Sequence, residues 1–87
     1  MSQTLGKALP EAIAKVSEWI GQQEAQANAM DELSPGAGDG QRFVANAVRM
    51  RRDVALAAQQ SGDVVAMMAA YEALKPVVEL ATAGRLE

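Results

Sequence analysis

The chain has 87 residues, enough for one domain with a single hydrophobic core, and it contains neither cysteine nor histidine. These absences exclude disulfides, thiolate and imidazole metal ligands, cysteine nucleophiles and the commonest general base. The formal charge of −3 argues against nucleic acid as the main partner. We therefore expect a protein with no enzymatic activity and no cofactor.

Alanine is the commonest residue, and aromatic residues make up only 3% of the chain. Alanine has the highest helix propensity and lets helices approach closely, and no segment alternates apolar and polar residues as a strand would. The sequence predicts one all-α domain over residues 1–87, with three helices. Because so short a chain has a small core, we also expect it to assemble into a larger helical bundle as a homo-oligomer.

The first helix is predicted over residues 8–32. Its apolar stripe repeats at alternating spacings of four and three, at Leu9, Ile13, Val16, Ile20, Gln23, Ala27 and Met30. Gln23 interrupts this stripe, and we expect its side chain to reach solvent; the alternative is that it fixes helix register or oligomeric state. Residues 33–39 are rich in glycine and proline, which predicts a loop. We interpret it as a linker and not as an anion-binding loop, because a helix and not a strand precedes it.

The second helix is predicted over residues 40–60, with Asp39 as its cap. Its apolar stripe consists of Phe43, Ala47, Met50, Val54 and Ala57, and the flanking residues Val44, Val48, Ala55 and Ala58 are apolar as well. Gly62 is expected to end this helix in the left-handed conformation, and Asp63 to cap the next one. So short a link predicts that helices 2 and 3 form an antiparallel hairpin.

The third helix is predicted over residues 63–83. The residues expected to be buried are Val64, Met67, Met68, Tyr71, Leu74, Val78 and Ala81. Pro76 is expected to kink or split the helix. Val65, Ala69 and Val77 lie off the stripe, so the helix has more apolar surface than two neighbours readily cover. Such a helix is central in its bundle or covered by another chain.

Four arginines of the second helix form what we call the arginine band: Arg42, Arg49, Arg51 and Arg52. With Asp53 they give residues 41–53 a charge of +3, which leaves −6 for the rest of the chain. We expect the band to match acidic residues of the first helix or of a partner, and we predict Arg42, Arg49 and Arg52 as partner-binding residues. The alternative is a nucleic-acid-binding helical module that uses all four arginines. Helical geometry separates them, however, since Arg42 and Arg49 share a face with Asp53 whereas Arg51 lies beside the apolar flank of the helix. The third helix also begins with apolar residues that could not contact base edges.

Met67, Met68 and Tyr71, with Met50 opposite them, are a second candidate partner-binding set, because methionine side chains adapt to a docked helix. Packing in the core would explain these residues as well. The sequence shows no secretory signal and no apolar run long enough to span a membrane, so we expect a cytoplasmic location and no membrane partner. Secretion without a cleaved signal would leave no trace in the sequence. The function we expect is to bind another protein, as a small assembly factor, chaperone or inhibitor.

Overall fold

The structure is a computed structural model that describes residues 4–85. It contains the helices α1 (Leu5–Leu33), α2 (Asp39–Ser61) and α3 (Val64–Arg85), and the described residues include no strand. All three helices pack against one another. The all-α, three-helix prediction is confirmed, whereas assembly into a larger bundle stays a prediction. None of the described helices combines the length and the apolarity needed to cross a membrane.

The helices run up, down and up. Along α2, the contacts with α1 move in the opposite direction: Arg42 meets Asp31, while Arg52, further along α2, meets Ser17. Helices α1 and α2 are therefore antiparallel. The chain reverses again within residues 62–63, and α2 packs on α3, so these two helices form the predicted antiparallel hairpin.

The core lies between the three helices and receives unequal contributions from them. Leu9 and Val16 of α1 and Leu74 of α3 are fully buried, and α1 adds the buried Trp19 and Ile20. Helix α2 contributes only small side chains, namely Ala45, Val48, Ala55 and Ala58. Alanines at a helix contact let backbones approach closely, so α2 packs tightly while burying little side-chain volume.

The apolar stripe that the sequence indicates on α2 faces outward and not toward the core. Phe43, Met50 and Val54 are 77%, 70% and 64% exposed. The buried side of α2 consists of Ala45, Val48, Ala55 and Ala58. Three of these, Val48, Ala55 and Ala58, are among the residues that flank the stripe, so the smaller apolar side chains beside the stripe are the ones packed inside.

The buried side of α3 also differs from the prediction. Val64 and Met68 were expected to be buried and are exposed, whereas Val77, expected off the stripe, is buried. The buried side is centred on Ala70, Leu74 and Val77. Ala70 is small enough to face the neighbouring helices at close range, and this rotates α3 away from the orientation that its largest side chains indicated.

The turn between α2 and α3 follows the prediction. Gly62 has a φ of 73° in the left-handed region, where glycine has no steric penalty. The carboxylate of Asp63 accepts hydrogen bonds from the backbone N–H groups of Val65 at 3.0 Å and Ala66 at 3.3 Å. Asp63 therefore satisfies two of the free N–H groups at the start of α3.

Asp39 does not cap α2. It is the first residue of that helix, preceded by Gly38 at the capping position, and no side chain supplies a cap. The predicted interruption at Pro76 does not occur either, since α3 runs unbroken through it, and a bend there stays a prediction. The packing of Leu74 and Val77 on either side offsets the roughly 3 kcal/mol that an internal proline costs a helix.

The loop before α2 lies against α1 at Gly38. A Cβ atom built on Gly38 would overlap the backbone carbonyl of Ala27, and both residues are buried. Only glycine allows this approach of the two backbones. Gly40, two residues later and inside α2, has open space where a Cβ would be.

The substitution Gly38→Ala should therefore destabilise the protein by about 1–3 kcal/mol, the usual cost of overpacking a close contact. The matched substitution Gly40→Ala should stabilise it by about 0.5–1 kcal/mol, because it removes a glycine from a helix without a clash. Urea unfolding followed by circular dichroism measures both effects. Equal stability of the two variants would contradict the described loop position.

Candidate protein-interaction surface

Arg42 is held by side chains of α1. Its guanidinium lies 2.5 Å from the carboxylate of Asp31 and donates a 2.6 Å hydrogen bond to the side-chain oxygen of Asn28. Asp39 of the same helix lies 3.4 Å from it. The donors of Arg42 are thus largely occupied within the chain.

Asp31 joins this ion pair to the loop. Its carboxylate accepts a 2.8 Å hydrogen bond from the backbone N–H of Gly38, besides pairing with Arg42. The Gly38 N–H and then the Arg42 guanidinium stabilise the charged form and lower the pKa of Asp31 below its ordinary value, although partial burial opposes the shift. An N–H group that an anion-binding loop would offer to a ligand is therefore occupied by a carboxylate of the chain itself.

Arg49 and Arg52 also have partners within the chain. Arg49 lies 2.5 Å from the carboxylate of Glu24 in α1. Arg52 lies 3.1 Å from Asp53 and donates a 3.5 Å hydrogen bond to Ser17. The expected match between the arginine band and acidic residues of the first helix is present for Arg42 and Arg49. Their use by a partner, with Arg52, stays a prediction.

Glutamine side chains continue these polar contacts along the α1–α2 interface. Gln41 donates hydrogen bonds from its amide to Gln23 at 3.3 Å and to Gln26 at 2.9 Å. Gln23 is half-buried, so it keeps some contact with solvent while it accepts this hydrogen bond across the helix interface. It contributes in this way to aligning α1 with α2 within the monomer. We call the three cross-helix pairs Arg42–Asp31, Arg49–Glu24 and Gln41–Gln23 the polar seam.

Arg51 differs from the rest of the arginine band. It is exposed, and it forms no hydrogen bond or ion pair with any residue of the described range. It lies on the wall of a surface groove of about 310 Å³ between α2 and α3. The residues that line this α2–α3 groove are Trp19, Phe43, Val44, Ala47, Val48, Arg51, Pro76, Val77 and Leu80.

The α2–α3 groove has a buried floor and exposed walls. Its floor consists of Trp19, Val48 and Val77, which belong to the hydrophobic core. Its walls rise on α2 and α3 through exposed apolar side chains, namely Phe43, Val44, Pro76 and Leu80. A partner docked here would contact the buried residues of the floor and cover the exposed apolar side chains of both walls.

The second predicted set is only partly brought together. Met68 and Tyr71 line another groove, beside Leu5 and Val64 at the other end of the hairpin. Met67 is half-buried and packs against the core. Core packing therefore accounts for Met67, whereas Met68 is exposed, and the partner-binding role of all three stays a prediction.

Sequence reasoning did not select the groove residues Phe43, Pro76 and Leu80. Two features of the sequence did point to this region. The third helix has more apolar residues than two neighbours readily cover, and Arg51 lies beside the apolar flank of the second helix. Within residues 4–85, no three acidic side chains come together as candidate metal ligands.

Comparison with known proteins found no matching family model, no matching curated protein and no matching solved structure.

The substitution Asp31→Asn should make the protein less stable at neutral pH and change how its stability depends on pH. The pKa of Asp31 is lower in the folded protein than its ordinary value of 3.8. The ionised carboxylate therefore contributes to the free energy of unfolding above pH 3.8, and this contribution is lost as the pH falls through the pKa of the folded state. Thermal unfolding of wild type and variant should therefore converge at the acid end of the range. Glu32→Gln, one residue away, changes net charge equally without touching Gly38 or Arg42. A constant stability difference between wild type and Asp31→Asn at every pH would contradict the assignment.

Proposed function

We propose that this chain is a non-enzymatic protein-interaction module that binds another protein in the α2–α3 groove. It would act as a small assembly factor, chaperone or inhibitor, and we propose a cytoplasmic location. The observation that carries the proposal is the outward position of the largest apolar side chains of α2, next to a groove whose floor is the core. Phe43 and Leu80, on opposite walls of that groove, are 77% and 58% exposed.

Several exposed apolar side chains of α2 and α3 are grouped at one site, which supports binding more than the number of exposed residues does. Single exposed apolar residues are common on soluble domains, but contiguous apolar patches mark interaction sites. Phe43, Val44 and Leu80 line one groove, and Met50 and Val54 continue the same stripe along α2. Fully burying one such side chain contributes about 1.5–3 kcal/mol, so a partner that covers a few of them gains useful affinity.

The nucleic-acid alternative is less well supported. Binding to a phosphate backbone needs several free cationic side chains along one surface. Arg42, Arg49 and Arg52 each have a carboxylate partner in the chain. Only Arg51 of the arginine band is without one among the described residues, and it lies in an apolar groove.

The protein should therefore not retard a double-stranded DNA or RNA fragment in a gel-shift titration at low salt. The competing account expects retardation that weakens steeply as salt is added. It also expects the double variant Arg49→Gln/Arg52→Gln to lose that retardation. Such a salt-dependent and arginine-dependent shift would contradict the protein-binding proposal.

Capture from the native host with quantitative mass spectrometry tests the groove through two leucine variants. Leu80→Gln changes a wall of the groove, and Leu33→Gln makes the same change at a residue that is 89% exposed and does not line the groove. A partner bound in the groove should be retained about tenfold less by Leu80→Gln and equally by Leu33→Gln, since one leucine contact is lost. If no captured protein distinguishes the two variants, the proposal fails.

Homo-oligomerisation is a separate part of the proposal and has its own measurement. Light scattering over a range of concentrations distinguishes a monomer from a larger helical bundle. The Leu80→Gln variant then tells whether any self-association uses the α2–α3 groove or another surface.

A further inference from the structure

We infer that the occupant of the α2–α3 groove is an amphipathic helix of a different protein, with an acidic residue beside its apolar stripe that pairs with Arg51. The inference rests on the proposed function and specifies the chemistry of the partner. Two observations carry it: Arg51 has no ion-pair partner among the described residues, and the described residues that line the groove include no carboxylate.

Arg51 is the one member of the arginine band that no described residue neutralises. Its three companions all lie within 3.1 Å of a carboxylate oxygen of the chain. Arg51 follows Met50 directly and shares the groove with Phe43 and Leu80. Its guanidinium therefore lies at the edge of an apolar site without an ion-pair partner among residues 4–85, and it can direct a docking partner without first breaking an ion pair to one of them.

Within the part of the chain that the structure describes, the groove offers Arg51 no counter-charge. Nine described residues line it, of which eight are apolar and the ninth is Arg51. A docked apolar surface would cover the guanidinium and remove water from it, which is unfavourable unless a carboxylate pairs with it. The occupant must supply that carboxylate, next to the apolar side chains that enter the groove.

A second copy of this chain does not meet that requirement by pairing groove to groove. A two-fold interface of this kind brings the same patch from each copy together, so two Arg51 side chains would share an interface to which neither groove contributes an acid. Pairing of the groove with another face of the chain would be a head-to-tail contact, which builds rings or open chains. The charge pattern therefore favours a different protein, and not a second copy of this chain, as the occupant of the groove.

A helix fits the shape of this site better than an extended segment does. The walls are two antiparallel helices, and the groove between them accepts the side-chain ridge of a third. Recognition of an extended peptide by strand addition needs a sheet edge, and residues 4–85 contain no strand. Side chains spaced three and four residues apart on the incoming helix would lie over Trp19, Val48 and Val77.

A display library of helical peptides tests the inference. Each peptide has about 18 residues, long enough to hold a helix, with a fixed apolar stripe and fully varied positions beside it. The library is selected separately on the wild-type protein, on Arg51→Glu and on Lys7→Glu. Lys7→Glu is the control, because it reverses a charge at an exposed position of α1 outside the groove. Leu80→Gln serves as the variant with an altered groove wall. Far-ultraviolet circular dichroism checks that every variant is folded.

We expect wild type and Lys7→Glu to enrich Asp or Glu beside the stripe, and Arg51→Glu to enrich Lys or Arg at the same positions. An acidic peptide selected on wild type should bind Arg51→Glu at least about fivefold more weakly, since loss of even an exposed ion pair costs about 1 kcal/mol and the reversed charge adds repulsion. Trp19 is the single tryptophan of the chain and forms part of the floor, so its fluorescence reports this binding when the peptide contains no tryptophan.

The outcomes separate this inference from the proposed function. One outcome is that Leu80→Gln weakens peptide binding, but the selected residues beside the apolar stripe are the same on wild type and on Arg51→Glu. This result would overturn the role of Arg51 and leave the groove as a binding site. Failure to select any peptide that depends on Leu80 would count against the groove itself. Self-association that Leu80→Gln abolishes, measured by sedimentation, would replace the heterologous helix with a second copy.

Discussion

The polar seam between α1 and α2 is the contact on which the surface of this protein depends. It joins Arg42 to Asp31, Arg49 to Glu24 and Gln41 to Gln23, and it leaves Ala45 and Ala55 as the apolar residues that α2 turns inward. These contacts on one side of α2 favour one rotation of the helix about its axis. Because the largest apolar side chains of α2 lie on the other side, the same seam that aligns α2 with α1 exposes Phe43, Met50 and Val54.

Magnitudes indicate that the seam alone does not determine this rotation. Partly exposed ion pairs contribute about 0–1 kcal/mol each, whereas burying Phe43, Met50 and Val54 would contribute about 1.5–3 kcal/mol each. Ala45 and Ala55 supply the remaining constraint, because tight packing on small side chains leaves no room for larger ones between the helices. The fold therefore accepts exposed apolar surface that a docked partner would cover.

The sequence was sufficient to predict the number of helices, the hairpin of α2 and α3 and the turn at Gly62 and Asp63, since these depend on local signals. It did not predict which side of α2 faces the core. The stripe of Phe43, Met50 and Val54 is the more hydrophobic side, and only the tertiary contacts of Arg42 and Arg49 reveal that it faces outward. Periodicity identifies apolar sides of a helix but not their neighbours.

The candidate site was predicted in kind and only partly in its residues. The apolar excess of the third helix pointed to a covering chain, and Pro76 and Leu80 form part of the groove where such a chain would dock. The predicted residues Met68 and Tyr71 lie at another groove, and three predicted arginines are paired within the chain. The sequence distinguished Arg51 by its place beside the apolar flank of the second helix. That Arg51 has no ion-pair partner among the described residues could be recognised only once the structure had placed the acidic residues of α1.

Cysteine labelling tests the central claim, the rotation of α2, most directly, because the chain has no cysteine of its own. Single variants Phe43→Cys, Met50→Cys, Ala45→Cys and Ala55→Cys are each reacted with a thiol reagent under native conditions. The structure predicts fast reaction at positions 43 and 50 and protection at positions 45 and 55. Protection at 43 and 50 with fast reaction at 45 and 55 would place the apolar stripe of α2 inside and contradict the account.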